Sequence, residues 1–405
     1  MDFETARAQF PALAQKTFLD AACVSLAPLV ATDAIRTFLD VALQCPAASS
    51  TLHHISMDEM RAAARPAVAR LINADEDEIA LVESTSHGLT IAAQCIPLSA
   101  GDRVLLCDLE FLEVALPWMQ LKQRGVEVDV VRTRGGRVTV EEFATRLTPK
   151  TKVIALSSVQ WSNGFRCDLG AISSLAAENN TWLVVDGIQQ LGAIPLDVKQ
   201  TRIDFLACGG HKWLNSPFGT GFLYIRRDAW PKLQRPMTGY MSVMPPTGDW
   251  GAHFQNPAIQ PVMDYRFLSG APPCETGGTS NYAGAIALAA SLKLVEELGA
   301  NHIAQHIYRI TDHLIAGLRS VGVELVTPVE REHRSGIVTF SVGSATENTQ
   351  LMQKLLEQKI LVSVRYTSNV GGVRVSCHYF NNVADIDRLL VAVESAVQRT
   401  ARAAK

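Results

Sequence analysis

The chain is predicted to be an α/β protein: a large domain with a mostly parallel sheet, then a small C-terminal α+β domain. Three observations predict it. Short, continuous apolar runs alternate with helical patterns through the first two-thirds of the chain. The composition changes between about residues 235 and 273, where Pro, Gly, Met and aromatic residues gather without a clear period. Two long helical patterns and a set of short strands follow. Apolar strands without polar alternation are covered on both faces, and their alternation with helices implies parallel crossovers.

The elements read in order. Val104–Cys107 is a strand, and Leu112–Gln123 is a helix that stops at Gly125. Val126–Val131 is a strand, Val140–Leu147 a helix, and Lys152–Leu156 a strand. A helix over Ala171–Glu178 leads to the strand Trp182–Val185, which ends at Asp186. Phe205–Ala207 and Gly221–Ile225 are further strands. The stretch 235–273 reads as ordered loops. Helices are expected over Tyr282–Leu298 and His302–Leu318, with Gly299 as the stop between them. Strands near Val323, at Ile337–Val342, Ile360–Val364 and Val373–Ser376, and a helix from about Ala384, complete the chain. The expected division is an N-terminal segment 1–20, a large domain 21–280 and a small domain 281–405.

Composition excludes several classes. Of 405 residues, 47% are hydrophobic and 19% charged, which is enough for a large core. A net charge of -3 gives no electrostatic case for nucleic acid or an anionic membrane. No apolar run approaches the roughly 20 residues of a membrane span, and the first ten residues lack a signal core, so a cytoplasmic location is expected. The eight cysteines form no C-x-x-C pair, which argues against a zinc site or disulfide framework and for mostly buried thiols. His302 and His306 stand at i, i+4 without an evident third ligand, so no metal is expected.

The chemistry concentrates in two motifs, Val184–Gln189 (VVDGIQ) and Cys208–Trp213 (CGGHKW). Asp186 ends a buried strand, where open α/β sheets hold their ligands. A carboxylate there is costly unless it meets a cation. Lys212 follows the next strand, and Gly209–Gly210 lets the backbone approach a flat ring. A lysine Schiff base with an Asp facing a pyridinium nitrogen is the recurring arrangement of pyridoxal 5′-phosphate (PLP) enzymes. Taken singly, Lys212 reads as a surface lysine and Asp186 as a helix cap.

With these motifs the chain resembles the class V aminotransferases, fold-type I PLP enzymes that include cysteine desulfurases, kynureninases and isopenicillin N epimerase-like proteins. The resemblance runs from FLDAAC near Phe18 to VRVSCHYF near Val373. It implies further site residues. Thr85 and Ser86, at a helix start after a short strand, would hold the cofactor phosphate, although without the resemblance an ordinary N-cap is the better reading. Gln189 would hydrogen-bond the ring phenol oxygen, with Asn163 near that oxygen and the substrate carboxylate. His211 is matched to a phosphate ligand. Thr279 is matched to a residue that reaches the partner subunit's phosphate, across an extra glycine at Gly277–Gly278. Gly209 stands where relatives often carry a phosphate-binding serine. Arg374, in an apolar strand, suits the two-point grip on an amino-acid carboxylate, with Arg365 as a second candidate.

Two departures narrow the reaction. Phe111 occupies the ring-stacking position where desulfurases of this family usually carry histidine, and it cannot titrate. The loop Tyr366–Gly372 has no cysteine where desulfurases carry a mobile nucleophile. The expectation is therefore a homodimeric enzyme with a shared active site, acting at the α-carbon of an amino acid. The first reading is a lyase performing β-elimination, in the manner of a C–S lyase and without an enzyme persulfide. Amino-acid epimerisation, transamination and a desulfurase-like reaction are the alternatives. A PLP-fold binding module without catalysis is the rival of a different class.

Overall fold

The computed structural model describes residues 1–235, 237–246, 248–275 and 280–403. A short strand, β1 (Thr17–Phe18), opens the chain. The main sheet is built from β2 (Ile79–Val82), β3 (Arg103–Cys107), β4 (Glu127–Val131), β5 (Thr151–Ser157), β6 (Trp182–Asp186), β7 (Phe205–Gly209) and β8 (Gly221–Ile225). Its strand order is β2-β8-β7-β6-β5-β3-β4. β8 runs against both of its neighbours, and the remaining ladders are parallel, as expected.

Side-chain alternation explains why the central strands are apolar throughout. On β6, Leu183 and Val185 enter one core cluster and Val184 the other. On β7, Leu206 and Cys208 face the first cluster, Phe205 and Ala207 the second. With period 2, each strand must be apolar on both faces to fill two cores. The parallel register Ser157↔Asp186 and Asp186↔Ala207 brings the carboxyl ends of β5, β6 and β7 to one edge.

The remaining strands are β9 (Glu324–Leu325), β10 (Ile337–Ser341), β11 (Ile360–Leu361), β12 (Ser363–Thr367) and β13 (Val370–Ser376). An antiparallel sheet of order β12-β13-β10-β9 carries Arg374 on an internal strand. The expected strand Ile360–Val364 is divided, because β11 leaves that sheet to pair in parallel with β1. The helix Tyr282–Leu298 spans two environments. Ala285, Leu288 and Leu292 enter the core of the main sheet, whereas Leu294, Val295 and Leu298 pack with Phe10, Trp213 and Tyr379. Gly299 ends it with φ 81°, a left-handed backbone that glycine adopts at little cost. Among its described residues, the stretch 235–273 holds one short α-helix, Trp250–Gln255, and a tighter helical turn at Tyr240–Ser242, with Tyr240, His253 and Phe254 packed around Trp250.

Candidate active site

At the carboxyl ends of β5, β6 and β7 lies a cavity of about 290 Å³. Asp186, Gln189, Lys212, Thr85, Ser86, Phe111, His211 and Arg374 all line it, although they come from distant parts of the sequence. Asp186 is buried, and one of its oxygens accepts the Ile188 N–H at 2.9 Å. Burial pushes its carboxyl from 3.8 up to about 7, against the pull of that hydrogen bond and of Lys212. Burial also lowers the Lys212 ammonium from 10.5 to about 8, while Asp186 holds it up and Arg374 presses it down. No direct ion pair joins the two side chains. A buried carboxylate and a lysine that share a cavity without neutralising each other leave a position that a cationic ring nitrogen satisfies.

The helix Thr85–Cys95 opens into the cavity. Ser84 caps it by accepting the His87 N–H at 3.1 Å. The first N–H groups of such a helix have no partner within it and favour an anion. The Thr85 hydroxyl accepts the Gly209 N–H at 2.8 Å, so it fixes the start of the GGHK turn. A Cβ at Gly209 would stand 3.1 Å from that hydroxyl and 3.2 Å from the His211 ring, which explains the glycine. Burial and the neighbouring Lys212 hold His211 down at about 4, so its imidazole is neutral and offers one N–H.

Gln189 is oriented by the protein. Its carbonyl accepts the Trp213 indole N–H at 2.9 Å, and its amide donates to the Ala22 carbonyl at 3.1 Å. One amide hydrogen remains for the cavity. Arg374, 1% exposed, donates to the Trp161 carbonyl at 2.9 Å and to Asp20 at 3.2 Å, while its Nε has no partner. Arg365 lines the same cavity and donates to the Val364 carbonyl and to the Cys23 sulfur. Beneath the site, buried Glu110 accepts hydrogen bonds from the Ser157 N–H, the Ser157 hydroxyl and Gln160.

One expected residue, Asn163, is absent from the cavity wall. Asn163 is fully buried elsewhere: its amide donates to the Gly136 carbonyl at 2.7 Å and its oxygen accepts the Phe165 N–H at 3.0 Å. It ties loops together. Trp161, two residues earlier, is the side chain that reaches the cavity, packed edge-on against Phe111 at 5.1 Å. Thr279 lies outside the described residues. His306 is buried, stacked on Phe3, and bonded through both ring nitrogens to Asn381 and Arg309, whereas His302 is exposed. Sequence reasoning missed Trp161 and Cys23. Both lie at landmarks that were visible, Trp161 after the end of β5 and Cys23 at the end of the FLDAAC run, but nothing in their spacing says which side chain turns inward.

The family model Aminotransferase class-V matches residues 17–389. The chain belongs to this family.

It is 27% identical to a probable cysteine desulfurase of Methanothermobacter thermautotrophicus, covering 96% of each chain. It is 27% identical to isopenicillin N epimerase of Streptomyces clavuligerus, over 82% of this chain and 83% of that one. A solved structure of the cystine C–S lyase C-DES with its reaction product cysteine persulfide superposes with TM-score 0.85. There the identity is 26%, over 95% of this chain and 99% of the other. The expected cofactor of a class V enzyme, PLP, suits this cavity, with its lysine, buried carboxylate and open helix N-terminus. Among the described residues, no helix is long and apolar enough to cross a membrane.

Proposed function

We propose that this class V enzyme is a lyase that removes a sulfur substituent from the β-carbon of an amino acid, with cystine as the substrate. The observation that carries this is a single cavity lined by Lys212 and two arginines, Arg365 and Arg374. Cystine has two α-carboxylates, and a guanidinium fork suits each. Likeness to the cystine C–S lyase supports the same reading.

The chain's own residues divide the work. The N-terminus of the helix Thr85–Cys95, with Ser86 and neutral His211, would hold the cofactor phosphate. Asp186 would face the ring nitrogen, and Gln189 would donate its remaining amide hydrogen to the ring oxygen. Bound PLP supplies an electron sink for the pair left on the substrate α-carbon. Lys212, held near 8, takes the α-proton as general base and can return a proton to the departing sulfur. Phe111 and Trp161 wall off water without titrating. Arg374 is held in place by Trp161 and Asp20 before any substrate arrives, which lowers the ordering cost of binding.

The enzyme would act in the cytoplasm, where its eight free thiols stay reduced, as a homodimer in which Thr279 reaches the partner's site. Epimerisation is the second reading, favoured by the isopenicillin N epimerase relative and needing the same base. The deciding experiment incubates the holoenzyme with cystine, cysteine and other amino acids in D₂O. Pyruvate and ammonia from cystine support the lyase. Deuterium at an intact α-carbon without pyruvate would move the assignment to epimerisation.

A further inference from the structure

The cavity wall carries two opposite charges that make no ion pair. Glu113 and Arg365 both line it, and among the described residues neither is bridged to the other or to a further charged side chain. Arg365 donates only to uncharged acceptors, the Val364 carbonyl at 2.9 Å and the Cys23 sulfur at 3.4 Å. The other members of the lining with these charges are occupied differently. Arg374 is bonded to Asp20 at 3.2 Å, and Asp186 lies buried at the floor with the Ile188 N–H. Glu113 is therefore a carboxylate in the wall that neither the fold nor the cofactor assignment uses.

Glu113 reaches the wall from the first turn of the helix Leu112–Leu121, which Phe111 opens. The Phe111 ring lies 5.8 Å from Lys212 Nζ, so this turn stands beside the reactive lysine. The turn is oriented against the usual distribution of polarity. Leu112 is 67% exposed, whereas Glu113 is half-buried against the cavity. Exposing a leucine and partly burying a carboxylate are both unfavourable. A first-turn carboxylate favours a helix from any side, so the helix alone does not require Glu113 to face inward. An unpaired carboxylate and an unpaired guanidinium in one wall match a ligand head that bears both an ammonium and a carboxylate.

We propose that Glu113 and Arg365 form a second amino-acid subsite that holds the far head of cystine, Arg365 taking its carboxylate and Glu113 its ammonium. The inference rests on the lyase reading and extends it. Cystine has two identical heads. Arg374 and Lys212 serve the head that reacts, and the Glu113–Arg365 pair serves the head that stays with the departing sulfur. The guanidinium fork meets the carboxylate in two hydrogen bonds, and the glutamate accepts from the ammonium. Glu113 is thus a specificity residue: it favours cystine over cysteine, which has no second head, and over disulfides whose far end lacks the ammonium.

The test compares three disulfides of cysteine. Cystine has both far charges, the mixed disulfide with 3-mercaptopropionate lacks only the far ammonium, and the one with cysteamine lacks only the far carboxylate. Dissociation constants are read from the cofactor absorbance of the holoenzyme, and pyruvate is measured in the same samples. The wild type should bind cystine about tenfold or more tightly than either mixed disulfide, the effect of one charge-assisted contact. Glu113→Gln should lose the preference over the mercaptopropionate disulfide and keep that over the cysteamine disulfide, and Arg365→Gln should do the reverse. A wild type that does not prefer cystine, a preference that survives Glu113→Gln, or equal weakening of all three disulfides in that variant overturns the proposal. If cystine binds but none of the three yields pyruvate, the lyase reading fails, and the dissociation constants still decide the subsite.

Discussion

Asp186→Asn changes two quantities in opposite directions. The asparagine oxygen can still accept the Ile188 N–H that Asp186 accepts at 2.9 Å, so the shape is kept and the charge is lost. Burial raises the carboxyl from 3.8 to about 7, and at about 1.4 kcal/mol per pH unit that disfavours the charged form by roughly 4 kcal/mol. A folded-state pKa above the unfolded value gives stability that is complete below pH 3.8 and is lost as pH rises through about 7. Cofactor-free Asp186→Asn should therefore match the wild type near pH 4 and exceed it at pH 8, by up to about 4 kcal/mol. Cofactor affinity should move the other way. Removing one partner of a buried ion pair costs about 3–5 kcal/mol, which is roughly a 150- to 5,000-fold weaker Kd. Urea unfolding of the cofactor-free proteins at both pH values, with PLP titration by fluorescence quenching, measures both. A variant less stable than wild type at pH 8, or one that binds PLP with unchanged affinity, would refute the assignment of Asp186 as an unneutralised carboxylate awaiting a cation.

Borohydride reduction of the holoenzyme should fix the cofactor on the Lys212 peptide, and a label found on any other lysine contradicts the site. In the cofactor-free protein, reductive methylation of Lys212 followed against pH should show a midpoint near 8, where burial places it; a midpoint above 10 would mean an ordinary exposed amine. Arg374→Ala should raise KM for an amino-acid substrate by about 10- to 100-fold, since a charge-assisted fork contributes about 1.5–3 kcal/mol; an unchanged KM rules out the carboxylate role. Asn163→Ala should lower the unfolding midpoint by removing two buried hydrogen bonds, at about 1 kcal/mol or more each, and change KM less than twofold; a large KM effect would return Asn163 to the substrate pocket. Cys208, Cys274 and Cys377 are buried, and mass analysis during turnover should find no sulfur on them; a persulfide on any of the three would restore the desulfurase reading.

Much of the site could be read from sequence because its key pair is locally encoded. Asp186 ends an apolar strand and Lys212 follows a second one, so strand periodicity alone sends both to the carboxyl edge of the sheet. The helix start at Thr85 was legible for the same reason: Ser84 and the short strand before it mark the turn. Asn163 was misplaced because the loop after β5 has no period to fix its register. The backbone there turns through Gly164 at φ 72°, where a Cβ would meet the Ile337 carbonyl at 2.5 Å, and this turn sends Trp161 inward and Asn163 away. Cys23 was not legible, since its place in the wall depends on pairing between β1 and β11, more than 300 residues apart. The helix Tyr282–Leu298 shows a similar limit. Its pattern announced a helix but not that one half would serve the core of the main sheet.

The bond between Asp20 and Arg374 spans 354 positions of the chain. During synthesis Asp20 leaves the ribosome 354 residues ahead of Arg374. Until then the wall that would grip a carboxylate lacks Arg374, and before Ile360 emerges β1 has no β11 to lie against. The strands from Ile79 to Ile225, with Asp186 and Lys212, are made well before either arginine of the cavity wall. Chains interrupted between Lys212 and Arg365 would keep the reactive lysine and lack both arginines of the cavity wall.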